Sequence, residues 1–253
     1  MKELMRRIFD KKAFHIGMIF FIIFIVLFVS GLIVLRYQVE GETNMPFNLS
    51  KITVVSVAEK VDKDEKVEGN RWNYSINQNN DIYMYIEKNK NYDKVETIKQ
   101  IEINNVELSK ENEKGELKLY KPDTENPNVI FSNKDEYSVQ SLTYTVKENT
   151  DMKNLVITNQ GGTLTFRVAN NNIAEYVSND EQINYNELLS KANVTLEQLK
   201  CKVKFDLIIT LDSGKIYKSV ITLDLPLDGV IEQGTASKEF TDMQSFVFKR
   251  IKN

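Results

Sequence analysis

The hydrophobic pattern of this chain opens with one long apolar segment. Residues 13–35 read AFHIGMIFFIIFIVLFVSGLIVL, a run of 23 residues without a charged side chain. As a helix this run rises about 34 Å, slightly more than the roughly 30 Å hydrocarbon core of a bilayer. A buried helix of a soluble protein would show a polar face, and residues 18–29 show none. The segment therefore predicts a single transmembrane helix.

The charged residues on either side of this segment predict its orientation. Only Arg36 follows it closely, whereas five basic residues precede it: Lys2, Arg6, Arg7, Lys11 and Lys12. Basic flanks stay on the cytoplasmic side of a membrane. We therefore expect a cytoplasmic segment over 1–12, a transmembrane helix over 13–35, a tether over 36–47 and an extracytoplasmic region over 48–253.

A cleaved signal peptide is the alternative explanation of the same pattern. Its apolar core typically spans only ~7–15 residues and ends at a site of small residues. In this chain residues 32–35 continue the apolar run past the one small pair, Ser30 and Gly31. The pattern thus favours an uncleaved signal anchor at the cell membrane.

Beyond the apolar segment, apolar and polar residues alternate with the period of two that is typical of half-buried β-strands. Many short strands separated by polar turns predict a mainly β fold, an antiparallel β-sandwich. Parallel α/β folds are disfavoured because the crossover helices they need are missing. The predicted strands are 52–57, 72–76, 82–87, 98–108, 117–121, 142–146, 155–157, 164–168, 203–211, 217–225 and 246–248.

The two strands 203–211 and 217–225 predict a hairpin whose register can be worked out. A slip of one residue moves every side chain to the opposite face, so the two apolar faces match in only one of the alternative registers. That register needs a three-residue loop, Asp212 to Gly214, with Gly214 in the left-handed conformation. Pro226 cannot donate to a ladder and ends the second strand. The predicted pairs are Ile209 with Tyr217, Phe205 with Ile221, and Val203 with Leu223.

The remaining elements are a helical patch, several loops and a second hairpin. Residues 185–200 predict one or two short helices, in which Thr195 and Gln198 have the spacing of a capping box. Residues 159–162 predict the turn of the second hairpin. Charged or Asn-rich stretches predict loops over 60–71, 109–115, 121–128 and 170–182. We expect one continuous β-rich unit over 48–253, with two sub-domains that divide near residue 150 as the alternative.

Composition narrows the chemistry that this outer region can carry. A single His and a single Cys exclude a His/Cys zinc set, a Cys-His pair and a disulfide framework. We expect His15 to lie at the membrane edge and Cys201 to be a small buried group of the first hairpin strand. We therefore expect no catalytic residue, no metal and no cofactor, and a protein that is not an enzyme.

Charge narrows the class of partner. The chain has 33 basic and 36 acidic residues. Five of the basic and two of the acidic residues precede the predicted span, so the remaining chain has 28 basic and 34 acidic residues and a net charge of −6. Nucleic acid binding needs a concentrated basic face that displaces phosphate counterions. We expect no nucleic acid partner.

Four aromatic residues predict a contact surface. Tyr83 and Tyr85 face away from Ile82, Met84 and Ile86, and Trp72 and Tyr74 repeat the same period on the preceding predicted strand. If these strands pair, Trp72, Tyr74, Tyr83 and Tyr85 form an exposed aromatic stripe that suits a sugar ring or a protein partner. The alternative is that both faces of these strands are covered.

The chain is rich in Asn, Lys, Ile and Glu, and it contains the segments FDLII (205–209) and LDLP (223–226). In these features it resembles uncharacterised single-pass envelope proteins of low-GC Gram-positive bacteria. The resemblance implies a cellular setting and no activity. The sequence thus predicts a membrane-anchored binding or scaffold protein of the cell envelope. Its partners would be the lipid bilayer and another envelope protein or a cell-wall polymer. The alternatives are a carbohydrate-binding module that uses the aromatic stripe, and a hydrolase that uses two carboxylates.

Overall fold

The structure is a computed structural model that describes residues 2–42, 45–67, 71–126, 128–146, 157–179 and 184–251. The chain begins with one long helix, α1 (Lys2–Glu42). Its stretch Phe14–Leu35 is long and apolar enough to cross a membrane, and it is not buried against any described part of the molecule. Large apolar side chains of this stretch point outward on every side of the helix.

Eleven strands follow α1 in the described residues, and they form two antiparallel sheets. The strands of sheet A are β1 (Phe47–Val67), β2 (Arg71–Lys88), β4 (Glu116–Tyr120), β5 (Ser138–Val139), β7 (Gly162–Ser178) and β10 (Thr235–Phe240). Their spatial order is β10-β1-β2-β7-β4-β5. The antiparallel pairing confirms the prediction against a parallel α/β fold.

The other five strands form sheet B: β3 (Ile98–Lys110), β6 (Leu142–Thr145), β8 (Cys201–Leu211), β9 (Ile216–Leu225) and β11 (Lys249–Ile251). Their spatial order is β11-β9-β8-β3-β6. Both sheets combine strands from before and after residue 150, so strands that are distant in sequence become neighbours.

One apolar cluster contains residues of both sheets. Ile82 and Phe166 belong to sheet A, and Ile101 and Phe205 belong to sheet B, and each is no more than 1% exposed. The rings of Phe166 and Phe205 meet edge to face, with centroids 5.4 Å apart. This geometry favours aromatic pairs because the positive ring edge approaches the negative ring face. The two sheets thus share a core.

The long strands of sheet A extend into a second apolar cluster. Ala58 of β1, Ile76 of β2 and Ile173 of β7 are buried there against short helices. These helices are α2 (Leu188–Lys191), α3 (Leu196–Leu199) and α4 (Val230–Gln233), and a 3₁₀ turn, Tyr185–Glu187, precedes α2. The predicted helical patch is confirmed, and the Thr195 amide donates to Gln198 Oε1 at 3.2 Å, as the capping box predicts.

The predicted register of the β8-β9 hairpin is confirmed. Val203 pairs with Leu223, Phe205 with Ile221 and Ile209 with Tyr217. The loop residue Gly214 has φ of 80°, and β9 ends at Leu225, directly before Pro226. The turn of the second predicted hairpin forms a bridge between Thr158 and Gly161. Residues 155 and 156 of its first strand lie outside the described residues.

Five predictions about strands and loops are wrong, wholly or in part. Segments 72–76 and 82–87 do not pair, because both belong to the single strand β2. The loops predicted over 60–71 and 170–182 are strand as far as Val67 and Ser178, the ends of β1 and β7. Segment 109–115 is strand as far as Lys110, and the strand predicted over 246–248 begins only at Lys249.

Candidate functional site

The structure separates the four aromatic residues that the sequence grouped. Tyr74 and Tyr83 lie nine positions apart on β2, and successive side chains of a strand point to opposite faces. Tyr74 is only 1% exposed, and the Lys60 ammonium lies 4.4 Å from its ring centre. The side chain of Trp72 lies outside the described residues. A continuous stripe of exposed rings that includes Tyr74 is therefore a wrong prediction, since its ring is covered.

Tyr83 and Tyr85 lie side by side on the outer face of sheet A and are half-buried. Lys51 of the neighbouring β1 lies 4.5 Å from the centre of the Tyr85 ring and 2.6 Å from a carboxylate oxygen of Glu239. Burial raises the pKa of Tyr83, and the nearby Asp81 carboxylate adds to that rise. Both side chains are thus partly accessible and could contact a flat ligand or a partner side chain.

Next to Tyr83, the same outer face carries a cluster of buried and half-buried polar side chains that we call the Arg167 cluster: Asp81, Asn79, Asn133, Arg167 and Asn171. Arg167 is 8% exposed, and its Nε and Nη2 donate to the two oxygens of Asp81 at 2.6 and 3.1 Å. Its Nη1 donates to Asn133 Oδ1 at 2.9 Å. The ring of Phe131 covers the guanidinium at 5.0 Å. The charged pair is thus enclosed and bidentate.

The amides of the Arg167 cluster continue this network across three segments of the chain. Asn133 Nδ2 donates to Asn79 Oδ1 at 2.8 Å and to Asn171 Oδ1 at 3.0 Å. Asn171 Nδ2 donates to the Tyr120 hydroxyl at 2.7 Å, and Asn79 Nδ2 donates to Glu59 Oε2 at 2.6 Å. These hydrogen bonds tie the loop around Asn133 to sheet A. The Arg167 cluster thus fixes the positions of the segments that it joins.

A second polar group lies on the inner face of sheet A, between the two apolar clusters. Ser56 Oγ donates to Asn80 Oδ1 at 2.7 Å, and Asn80 exchanges hydrogen bonds with Gln78 at 2.9 and 3.1 Å. The Leu227 amide donates to Ser56 Oγ at 3.0 Å. All three polar side chains are 0% exposed. They fix the chain after β9 to the middle of β1 and β2.

Two Asn-rich runs in the sequence contain residues of both polar groups. Residues 77–81 read NQNND and residues 170–172 read NNN. Asn is depleted in strands and enriched in turns, so such runs favour a loop. In the structure they lie next to each other across β2 and β7, where the register shifts between Ile76 and Gln78. A pair of Asn-rich runs in one chain is therefore the sequence pattern that indicates such polar groups on neighbouring strands.

A groove of about 990 Å³ is lined by residues of β9 and β10, and its apolar lining includes Leu223, Leu225, Phe240 and Phe246. Cys201 also lines it but is 6% exposed, and burial raises the pKa of its thiol to about 12. The predicted interpretation of Cys201 as a small buried group is confirmed. Among the described residues β10 is an edge strand of sheet A, with backbone groups that can pair with another extended segment.

The carboxyl groups with a displaced pKa give a hydrolase no support. Burial raises the pKa of Glu96 and is the largest single influence on it, but the hydrogen bonds from Lys215, at 2.8 Å, and Ser213, together with the positive charges of Lys215 and Lys94, outweigh burial, so the pKa is lowered. Burial also raises the pKa of Asp123 most strongly, but the backbone amides of Asn126 and Glu125 together with Tyr137 and Lys134 outweigh it, so the pKa is lowered. A general acid needs the opposite direction. Within the described ranges no group of three or more His, Cys, Asp or Glu could hold a metal ion.

Comparison of the chain with protein-family profiles, curated proteins and solved structures finds no match.

Proposed function

We propose that this protein is a single-pass, membrane-anchored binding or scaffold protein of the bacterial cell envelope, with its β-rich region on the extracytoplasmic side. The observation that carries the proposal is the apolar stretch Phe14–Leu35 of α1, which is exposed along its whole length. Exposure of an apolar surface of this size to water is unfavourable, whereas the hydrocarbon core of a bilayer removes it from water. The basic residues before the stretch support a cytoplasmic N-terminus.

The β-rich region supports the binding part of the proposal. We propose that its two sheets form one sandwich around the shared core, held on the tether as a single unit. The polar side chains of the Arg167 cluster bond to one another and hold the loop around Asn133 against sheet A. What the region offers to a partner is the open outer face at Tyr83 and Tyr85, and the groove beside the edge strand β10.

Site-specific photocrosslinking of the intact protein in its native membrane tests this proposal. A photoreactive residue replaces Tyr85 on the outer face or Lys238 in the groove, and Thr143, exposed on β6, is the control position. We expect one envelope protein to be captured at Tyr85 or Lys238 and not at Thr143. Capture at none of the three positions, with the protein recovered in the membrane fraction, would contradict a protein-binding function.

Recognition of a cell-wall glycan is the second candidate, and the position of two neighbouring tyrosines on one open face favours it. Aromatic rings that stack on sugars must be accessible, so the hypothesis now depends on Tyr83, Tyr85 and Trp72 without Tyr74. The double substitution Tyr83→Ala with Tyr85→Ala, and Trp72→Ala separately, should abolish retention on isolated cell wall. Tyr92→Ala, in the connection between β2 and β3, is the matched control. Unchanged retention of all variants would exclude this candidate.

A further inference from the structure

The connection between α1 and the β-rich region is short. The apolar stretch ends at Leu35 and α1 ends at Glu42, so residues 36–42 rise about 10 Å beyond it. Met45, Pro46 and Phe47 are already buried in the β-rich region, which leaves residues 43 and 44 to bridge at most about 11 Å. A headgroup layer takes up about 5–8 Å of this distance. The end of the region that contains Met45 therefore lies within about 15 Å of the headgroups.

One turn is fixed to that end of the region by hydrogen bonds. We call residues 88–95, which follow β2 and lead toward β3, the basal turn. The Asn89 amide donates to Pro46 O at 2.8 Å, and Asn89 Nδ2 donates to Met45 O at 2.8 Å. The Tyr92 amide donates back to Asn89 O at 3.2 Å. The basal turn is thus held directly against the first residues after α1.

The basal turn contains one highly exposed apolar residue and several exposed lysines. Val95 is 85% exposed, more than any other exposed large apolar residue of the described chain, including those of α1. Lys88, Lys90 and Lys94 of the same turn are exposed, and the side chains of Lys88 and Lys90 make no hydrogen bond or ion pair with described residues.

The balance of charge at this end differs from that of the whole outer region. The acidic residues in and beside the basal turn are Glu87, Asp93 and Asp242, which are exposed, and Glu96, which is neutralised by Lys215 at 2.8 Å. At the same end, Phe248 lines a cavity together with Lys88, and β11 adds Lys249 and Arg250 directly after it. Basic groups therefore outnumber acidic groups here, although the outer region as a whole is acidic.

From these observations we infer that the basal turn rests on the headgroup layer of the membrane that holds α1, with its lysines against lipid phosphates and Val95 directed toward the acyl boundary. Lysines near a membrane surface are attracted by anionic lipids within a Debye length, about 8 Å. A lone exposed valine at the end of a short tether fits the interface better than bulk water. The inference rests on the proposed function, because the turn has a membrane beside it only if α1 is inserted.

Fluorescence quenching in reconstituted bilayers tests the inference. The full chain is inserted into vesicles of phosphatidylcholine, with or without phosphatidylglycerol, and Val95→Cys carries an environment-sensitive fluorophore. Val177→Cys is the matched control, since Val177 is also an exposed valine but pairs with Asn73, about 50 Å along β2 from Lys88. The native Cys201 is buried, so the parent chain gives the labelling background.

We expect headgroup-labelled quencher lipids to remove most of the fluorescence at position 95 and none at position 177. We expect the loss at position 95 to increase with phosphatidylglycerol and to fall when Lys90→Glu and Lys94→Glu are introduced. Equal quenching at the two positions, in a chain that resists alkaline extraction, would overturn the inference and leave the anchor intact. A chain released by alkaline extraction would overturn the proposed anchor and the inference with it.

Discussion

Arg167 and Asp81 form an ion pair in which both side chains are at most 13% exposed. Removal of one partner leaves the other charge buried without compensation, which typically costs ~3–5 kcal/mol. We expect Arg167→Met to lower the free energy of unfolding by about that amount, measured by urea titration with circular dichroism. Lys204→Met, which breaks the exposed pair with Glu107, is the control and should cause a much smaller loss. Equal losses would show that the Arg167 cluster does not hold the outer face together.

The pair of Glu96 and Lys215 predicts a pH dependence at acidic pH. The pKa of Glu96 is lowered below its ordinary value of 4.5, so its ionised form stabilises the folded state above that pH. This contribution is lost as the pH falls through the lowered pKa. We expect the stability difference between wild type and Glu96→Gln to be about 1–2 kcal/mol at neutral pH and to vanish in strong acid. The difference should be small at every pH in a Lys215→Met background; a difference that persists in acid would contradict the pairing.

Residue types in this chain predict their own environments unequally. Cys201 could be placed from its parity with Val203 and Phe205, because the alternation of a strand fixes which face it joins. Tyr74 could not be placed, because its cover comes from Lys60 and from long strand segments that no local pattern indicates. No local pattern indicates the role of Arg167, since its partners Asp81 and Asn133 are distant in sequence.

Among the turns, two glycines with similar backbone conformation make a matched pair. Gly115, before β4, has φ of 70°, and a Cβ there would lie 2.4 Å from Asn170 Oδ1 and 2.6 Å from Asn171 O. Gly214, in the β8-β9 loop, has φ of 80° and no atom within 4 Å of the same position. We expect Gly214→Ala to cost about 1–2 kcal/mol from the left-handed conformation alone.

Gly115→Ala should cost about 2–5 kcal/mol, because steric overlap adds to the same conformational cost. The measurement is thermal unfolding of both variants under identical conditions. If the two substitutions lower the free energy of unfolding equally, Gly115 does not lie in close contact with the Asn-rich part of β7.

At the scale of elements, the β8-β9 hairpin was predictable and the long strands of sheet A were not. In the hairpin, a strict apolar alternation and one glycine determine the register locally. In β2 and β7, runs of Asn interrupt that alternation, and local propensity favours a loop. Ser56 and Asn133 donate hydrogen bonds to these amides and the Tyr120 hydroxyl accepts one from them, so the strands continue. Such partners come from the tertiary structure and leave no periodic signal.

At the scale of the molecule, the contact between Phe166 and Phe205 tests whether the two sheets pack as a sandwich. A double-mutant cycle with Phe166→Leu and Phe205→Leu should give a coupling of about 0.5–1.5 kcal/mol. Phe205→Leu with Ile76→Val, which lies in the second apolar cluster, is the control and should be additive. Additive effects in the first cycle would contradict direct packing of sheet A on sheet B.

The mainly β character and the apolar helix could be predicted because each follows from a period that repeats along the chain. The interleaving of the two sheets could not, since it depends on pairings such as β1 with β10 that join opposite ends of the chain. The candidate contact surface was predicted in part: Tyr83 and Tyr85 do share the outer face, while the burial of Tyr74 depends on the single long strand β2.

The central claim is that α1 spans a membrane with the β-rich region outside, and two-sided cysteine labelling tests it most directly. Lys11→Cys precedes the apolar stretch, and Val220→Cys is exposed on β9. A membrane-impermeant maleimide should label position 220 in intact cells and position 11 only after permeabilisation. Wild type, with Cys201 buried and its pKa raised to about 12, provides the background. Labelling of position 11 but not position 220 in intact cells, or release of either variant into the soluble fraction, would contradict the claim.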